Sequence, residues 1–410
     1  MQATEHTHEL KITLPEVDRH GKHIVELTDD QFIIYDVADK KIVHAYTFHD
    51  LPVYLKQRIC EDQSDTSFKL ILNGQEADFV GDLDLKTQRL INSLKKKCIV
   101  NEKITEHYDV QENVGRGGYA HVYRAVRKSD GKDVIIKEFI KDHPKKSQEE
   151  MYKMFLEEIK TMRKLGETEG VSQLFEAYDC GEKFSIVTNL LEGNTLKEKI
   201  ALDKKLDEDV AKRVVRRVVE ILNDLHSRGF VHNDIKPDNL MFSDGSNEES
   251  VHIIDFGTAT PKNGKAISPG ELDAPKKRKV AGTVGYIDPA VLKGQDPCPL
   301  SDMFGVGVIA HYILFGEHLF RPFSPSGMLS LNKRCKINFD TKKWNQVSPD
   351  GQDFIRRLCT KTKDGRLSAQ EALEHPWLRV EPKAHYQRPK IPANQVRFPR
   401  VPAMTLHHRY

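Results

Sequence analysis

The sequence lacks paired cysteines. Its six cysteines lie far apart, with no Cys-x-x-Cys pair, at positions 60, 98, 180, 298, 335 and 359. This spacing indicates neither a disulfide framework nor a set of zinc ligands. Scattered thiols in a chain of 410 residues are typical of a reducing compartment. We therefore expect an intracellular protein.

Long apolar runs are also missing. The longest, from Phe304 to Phe315, contains a histidine and two glycines and is too short to span a bilayer. The first eleven residues, MQATEHTHELK, have no apolar segment of the kind found in secretory signals. These absences predict a soluble, cytoplasmic protein.

Neither sign of charge is in clear excess. The chain has 63 basic and 61 acidic residues, a net charge of +2, so no nucleic-acid partner is expected. Positive charge gathers in residues 379–410, which hold seven Lys or Arg, one Glu and five prolines. Because proline resists regular structure, this basic tail is predicted to be a strap or disordered end, with a docking segment as the alternative.

Residues 1–101 are predicted to form a small β-rich domain. Four segments rich in β-branched or aromatic residues are separated by turn signals, at residues 23–27, 31–37, 41–48 and 67–72. A helix is predicted from about Asp84 to Lys97, where leucines and an isoleucine form one stripe. At this size the domain could bury a core of its own.

Strands followed by one helix resemble a pleckstrin-homology-type domain, most closely over residues 68–97. Leu90 stands where that family usually has tryptophan, and the loop at residues 18–22 offers few cations. The resemblance therefore implies weak or no phosphoinositide membrane binding through residues 1–101. A protein adaptor is the other role open to such a domain.

A different pattern begins near Tyr108, without internal repeats or EF-hand loops. The segment VGRGGYAHV (114–122) is a glycine-rich turn between apolar strands, and glycines allow backbone N–H groups to approach phosphates. The apolar segment VIIK (134–137) follows and ends in Lys137. A lysine that closes a buried strand is costly unless it meets an anion.

A helix over residues 147–165 supplies a candidate anion. Ser147 and Glu150 form the sequence pattern of a capping box at its start. Glu158 falls within the apolar stripe of this helix, where a carboxylate needs a cationic partner. Lys137 is the candidate partner, and the alternative places Glu158 at the rim of the stripe.

The decisive motifs are FVHNDIKPDNLMF (230–242) and HIIDFGTA (252–259). Phosphoryl transfer needs oxygens to hold magnesium, a carboxylate to orient the attacking hydroxyl and cations to balance the phosphates. Both motifs together supply that set. With them, residues 108–378 resemble the eukaryotic protein kinase family, and RLSAQEALEHPWL (366–378) is similar to the calcium/calmodulin-dependent kinase group.

This resemblance implies a bilobal α+β kinase fold, preceded here by the β-rich domain with its C-terminal helix. It implies transfer of the γ-phosphoryl group of ATP, with Mg²⁺, to Ser or Thr hydroxyls of protein substrates. Lys236 is the serine/threonine signature, and the strip GTVGYIDP (282–289) favours protein substrates. The alternative function is a pseudokinase or scaffold that binds partners without turnover.

The resemblance also assigns roles to residues. Asp234 is implied as the catalytic base, Lys236 as its phosphate-stabilising neighbour, and Asn239 and Asp255 as Mg²⁺ ligands. Thr188 is implied as a small gatekeeper in a hinge that places the backbone of Leu191 at adenine. The residues implied to bind ATP are Val114, Gly115, Arg116, Gly117, Gly118, Tyr119, Ala120, His121, Val122, Lys137, Glu158, Leu191 and Met241.

Two departures from the family concern the nucleotide pocket. Ala120 replaces the third glycine of the loop, and Ile135 replaces the alanine above the adenine ring. We expect the bulkier roof to change the shape of the pocket without abolishing ATP binding.

The other departures concern regulation and packing. Asn233 and Thr260 stand where the family has cations that receive an activation-loop phosphate, so no such phosphate should be needed for turnover. Ala290 replaces the glutamate that usually pairs with Arg366. Asp288 could take its place only if its side chain points inward. The basic run PKKRKV (275–280) is either a nuclear import signal or a solvated stretch of loop.

Overall fold

The computed structural model describes residues 4–14, 17–28, 31–48, 52–59, 65–72, 75–82, 85–244, 249–262, 282–321, 327–339 and 342–379. The basic run at 275–280 and the tail from residue 380 onwards lie outside the described residues, so the predictions made for them stay predictions. The described residues up to Leu378 form one compact unit.

The described residues of the N-terminal part form seven antiparallel strands and one helix. They are β1 (Thr4–Leu14), β2 (Val17–Thr28), β3 (Gln31–Asp36), β4 (Ile42–Thr47), β5 (Val53–Ile59), β6 (Asp65–Leu72), β7 (Gln75–Asp82) and α1 (Leu85–Lys97). The four predicted strand segments and the predicted helix are confirmed. Alternating apolar side chains, such as Phe32 and Ile34 of β3, pack with Leu90 and Leu94 of α1 into a separate core.

The next segment forms the first, mainly β-stranded lobe of the part of the chain that follows the N-terminal domain. Its elements are β8 (Ile99–Val100), α2 (Ile104–His107), β9 (Tyr108–Arg116), β10 (Ala120–Arg127), β11 (Asp133–Ile140), α3 (Gln148–Leu165), β12 (Leu174–Cys180) and β13 (Lys183–Asn189). The Ser147 hydroxyl accepts the backbone N–H of Glu150, and the Glu150 carboxylate accepts that of Ser147, so the predicted capping box is confirmed.

The short strand β8 joins these two parts. It runs parallel to β5 on one side and to β12 on the other, with Ile99 opposite both Tyr54 and Ala177. In the described part of the chain, one sheet of thirteen strands results, in the order β4-β3-β2-β1-β7-β6-β5-β8-β12-β13-β11-β10-β9. The β-rich domain therefore extends the sheet that carries the glycine-rich turn.

The remainder of the chain is mainly helical. Its elements are α4 (Leu196–Asp203), α5 (Glu208–Ser227), β14 (Phe230–Val231), β15 (Leu240–Phe242), β16 (Val251–Ile253), β17 (Thr260–Pro261), α6 (Pro289–Leu292), α7 (Pro299–Phe315), α8 (Gly327–Arg334), α9 (Pro349–Leu358) and α10 (Ala369–Glu374). Helix α7 is apolar on nearly every side because it lies in the centre of this lobe. The predicted bilobal α+β architecture, with a β-rich domain before it, is confirmed. Among the described helices, none has the length and apolarity that crossing a membrane requires.

Candidate active site

Lys137 lies at the centre of the cleft between the two lobes. It sits on β11, which pairs with β10 and β13. Its Nζ donates to Oε1 and Oε2 of Glu158 at 2.7 and 2.9 Å and to Oδ1 of Asp255 at 2.8 Å. Glu158 is buried on α3, so the alternative that places it at the rim is excluded.

Electrostatics favour the charged forms of Lys137 and Asp255. Burial alone would lower the pKa of Lys137, but Asp255 and Glu158 outweigh it and hold the pKa above its usual range. The Lys137 ammonium in turn holds the pKa of the Asp255 carboxyl well below its usual range. Burial raises the pKa of the Glu158 carboxyl despite the neighbouring Lys137 ammonium. The charges favoured in this cluster are therefore the ammonium of Lys137 and the carboxylate of Asp255.

Asp302 of α7 hydrogen-bonds to the backbone of the loop that carries Asp234. The carboxylate of Asp302 accepts the backbone N–H groups of His232 and Asn233, each at 2.8 Å. It also lies 2.9 Å from Nε2 of His226. These contacts bury a charged group with its hydrogen bonds satisfied and hold the loop rigidly under the cleft.

Asp234 accepts hydrogen bonds from Lys236 and Asn239, the two other predicted site residues of its loop. Nζ of Lys236 donates to Asp234 Oδ2 at 2.6 Å, and Nδ2 of Asn239 donates to the backbone oxygen of Asp234 at 2.9 Å. Among the described residues, Oδ1 of Asp234 has no hydrogen-bond partner although it is buried. A buried carboxylate oxygen without a partner is suited to accept a hydrogen bond from a hydroxyl.

The cleft has a volume of about 720 Å³. The structure brings most of the predicted site residues to its walls, namely Val114, Gly115, Arg116, Gly117, Ala120, Val122, Lys137, Glu158, Leu191, Lys236, Asn239, Met241 and Asp255. Ile135 and Thr188 line it as well and face each other across β11 and β13. The family's alanine site is thus filled by an isoleucine that contributes to the wall.

Four predicted site residues lie outside this lining, namely three residues predicted to bind ATP and the predicted catalytic base Asp234. Gly118 and Tyr119 are at the tip of the glycine-rich turn, and His121 points to the other face of β10 from Ala120 and Val122. The ring of Tyr119 packs instead against His143, with ring centroids 5.4 Å apart.

Asn233 and Thr260, the two neutral replacements, contact each other. Nδ2 of Asn233 donates to the backbone oxygen of Thr258 at 2.8 Å and to the hydroxyl of Thr260 at 3.0 Å. The backbone of Asn233 has a φ of 70°, a left-handed conformation that asparagine tolerates better than most residues. An amide bridge therefore ties the loop that carries Asp234 (the catalytic loop, 230–242) to the start of the activation segment, the stretch of chain from Asp255 to Asp288.

Asp288 does point inward. Its carboxylate accepts one hydrogen bond from each terminal nitrogen of Arg366, at 2.8 and 3.1 Å. Asp288 thus takes the place of the glutamate that Ala290 replaces.

Sequence reasoning missed two features of the site. Thr283 accepts a hydrogen bond from Lys236 Nζ at 2.8 Å, which attaches the activation segment to the catalytic loop. Met162 and Ile186 line the interior of the cleft. Thr283 is 47 residues from Lys236, so no local pattern could have paired them.

Comparisons with known proteins agree with this geometry. Residues 108–378 match the model of the protein kinase domain family. Calcium/calmodulin-dependent protein kinase type 1 of Caenorhabditis elegans is 30% identical over 278 residues, which are 68% of this chain and 76% of that protein. Calcium-dependent protein kinase 3 of Plasmodium yoelii yoelii is 34% identical over 275 residues, 66% of this chain and 47% of that protein.

A solved structure is also similar. The twitchin kinase fragment of C. elegans, described as an autoregulated protein kinase with immunoglobulin domains, matches with a TM-score of 0.58 and 28% identity. The match covers 68% of this chain and 59% of that fragment, so the chain spans less than two thirds of it. Family match, relatives and cleft geometry agree, and the chain belongs to the protein kinase family.

Proposed function

We propose that this protein kinase transfers the γ-phosphoryl group of ATP to Ser or Thr hydroxyls of protein substrates. The observation that carries the proposal is a cleft lined both by the Lys137, Glu158 and Asp255 cluster and by two residues of the Asp234 loop, Lys236 and Asn239. Positioning and charge stabilisation, which this cleft supplies, are what phosphoryl transfer asks of a protein.

ATP would lie between the glycine-rich turn and the floor of the cleft. Gly115 and Gly117 line the cleft without side chains that would keep phosphates from the backbone. Lys137 is held by its two carboxylates where it can meet the α- and β-phosphates. Ile135, Met241 and the backbone of Leu191 form the walls on which adenine would pack.

The donor set fits Mg²⁺, a hard cation that prefers oxygen ligands. Because Nδ2 of Asn239 is used by Asp234, its Oδ1 is the atom left for a metal, and Asp255 supplies a carboxylate. The metal would balance phosphate charge. Asp234 would orient the substrate hydroxyl through Oδ1 and accept its proton, while Lys236 stabilises the transferring phosphate from the other side.

The proposal is tested with purified full-length protein, Mg-ATP labelled at the γ-phosphate and an array of Ser, Thr and Tyr peptides. We expect label in Ser and Thr peptides, identified by phosphoamino-acid analysis. Nucleotide binding without any transfer would support the pseudokinase alternative, and label confined to Tyr would contradict the assignment drawn from Lys236.

A further inference from the structure

Helix α3 carries Glu158, so its position determines whether Glu158 reaches Lys137. Two further described residues of α3 hydrogen-bond to the N-terminal part of the chain, outside the residues that match the kinase family model. They are Tyr152, six residues before Glu158, and Arg163, five residues after it. Along α3, the Glu158 carboxylate that pairs with Lys137 is therefore flanked on both sides by contacts to residues 54 and 98.

The first contact is a chain of hydroxyls. The hydroxyl of Tyr54, on β5, donates to Oδ2 of Asp179 at 3.2 Å and lies 2.7 Å from the hydroxyl of Tyr152. Because a tyrosine has one hydroxyl hydrogen and that of Tyr54 goes to Asp179, Tyr152 is the donor in the shared bond. Asp179 also accepts a hydrogen bond from Nζ of Lys141 at 2.5 Å.

The second contact lies in the last turn of α3. Nη2 of Arg163 donates to the backbone oxygen of Cys98 at 2.9 Å. Cys98 is fully buried in the N-terminal core and precedes Ile99 of β8, which is paired with β5 and β12. The carbonyl that receives Arg163 is therefore fixed by the continuous sheet.

We propose that the N-terminal domain is a brace for α3, made by Tyr54, Tyr152, Asp179, Arg163 and the Cys98 carbonyl, and that Tyr54 is a positioning residue for the Glu158–Lys137 pair. The inference rests on the proposed phosphoryl-transfer function. The brace acts on the phosphate-binding lysine through Glu158 and has no contact with the substrate hydroxyl. Its loss should lower kcat and leave the KM for peptide unchanged.

The test compares full-length Tyr54→Phe, which deletes the shared hydroxyl and keeps the ring, with Tyr35→Phe. Tyr35 lies on β3 of the same domain and loses a hydrogen bond of 2.5 Å to Glu26, away from α3. We expect kcat to fall about three- to ten-fold in Tyr54→Phe, as for one or two lost hydrogen bonds, and to stay within about two-fold in Tyr35→Phe. Equal kcat in the two variants overturns the inference.

A second pair of variants separates positioning from a general loss of fold. In a Glu158→Gln background the group through which Tyr54 acts is already lost, so Tyr54→Phe should cause no further drop in kcat. A full additional drop in that background contradicts the inference.

Amide hydrogen exchange distinguishes failure of the brace from failure of the proposed activity. Exchange over residues 148–165 should be faster in Tyr54→Phe than in Tyr35→Phe, whether or not the wild-type enzyme transfers phosphate. Equal exchange in the two variants overturns the brace by itself. An inactive wild-type enzyme with faster α3 exchange in Tyr54→Phe supports the brace and counts only against the phosphoryl-transfer function.

Discussion

Asp288 and Arg366 form a bidentate ion pair in which both side chains are fully buried. Ser301 donates its hydroxyl to the same carboxylate at 3.1 Å, and Arg366 also donates to the backbone oxygens of Leu300 and Thr360. The pair joins the end of the activation segment to the segment before α10. Removing one partner of a buried ion pair strongly destabilises the fold, because the other charge is left buried without compensation.

We therefore predict that Asp288→Asn lowers the free energy of unfolding by about 3–5 kcal/mol, because the Arg366 guanidinium is left buried without its counter-charge. Urea unfolding of the purified variant measures this. The matched control is Asp209→Asn, which removes an acid whose side chain is 86% exposed and should change stability by less than about 0.5 kcal/mol. Equal effects of the two substitutions would contradict the importance of the buried pair.

Lys137→Met should abolish phosphate transfer, because the predicted phosphate-gripping cation is lost. It should also destabilise the fold by about 1–3 kcal/mol, since the buried Glu158 side chain loses the ammonium that donates to both of its oxygens. Initial rates and urea unfolding measure the two effects separately. Lys145→Met, at an exposed lysine of the loop before α3, is the control and should change neither quantity. A normal turnover rate in Lys137→Met would contradict the assignment.

The amide bridge from Asn233 to Thr260 predicts turnover without activation-loop phosphorylation. A phosphate orders a loop only where cationic side chains are placed to bind it. Here the neutral amide of Asn233 already ties the activation segment to the catalytic loop. Enzyme treated with a phosphatase, with the bare loop verified by mass spectrometry, should keep its initial rate at saturating ATP. A loss of ten-fold or more that rephosphorylation restores would show that another cation set receives the phosphate.

The buried His311 should make the free energy of unfolding depend on pH. Burial lowers its pKa to about 4, and its ring packs against the rings of Phe315 and Trp344, which also contact each other. An unfolded chain binds the proton at a pKa of about 6.5. Stability is therefore lost as pH falls below the unfolded value towards the folded one, by about 2 kcal/mol between pH 7 and pH 5.

Replacement His311→Leu should remove about 2 kcal/mol from the pH-dependent part of the stability, whatever it does at pH 7. Urea unfolding of wild type and variant at pH 7 and pH 5 gives the difference directly. The same loss of stability between the two pH values in both proteins would mean that His311 is not held neutral.

Local motifs were sufficient to predict most of the cleft. The spacing of Asp234, Lys236 and Asn239 within one short loop leaves little freedom, and Glu158 could be paired with Lys137 because a carboxylate on an apolar stripe requires a cation. The inward orientation of Asp288 could not be predicted, because it depends on where Arg366, 78 residues later, arrives in the fold.

The arrangement of the N-terminal domain was only partly predictable. Its strands and α1 follow from alternation and from one apolar stripe. The two residues of β8 are too few to show a period, and their parallel pairing with β5 and β12 is decided by tertiary packing. The pleckstrin-homology-type assignment stays a prediction, as does the weak or absent binding to phosphoinositide membranes.

The most direct test of the central claim is the initial rate of phosphate transfer by Asp234→Asn beside that of the wild-type enzyme. The substitution keeps shape and removes the carboxylate predicted to orient the hydroxyl. Nucleotide-induced thermal shifts establish that both proteins are folded and bind ATP. We predict transfer below a few per cent of the wild-type rate with an unchanged thermal shift. A variant that transfers phosphate at the wild-type rate would contradict the account.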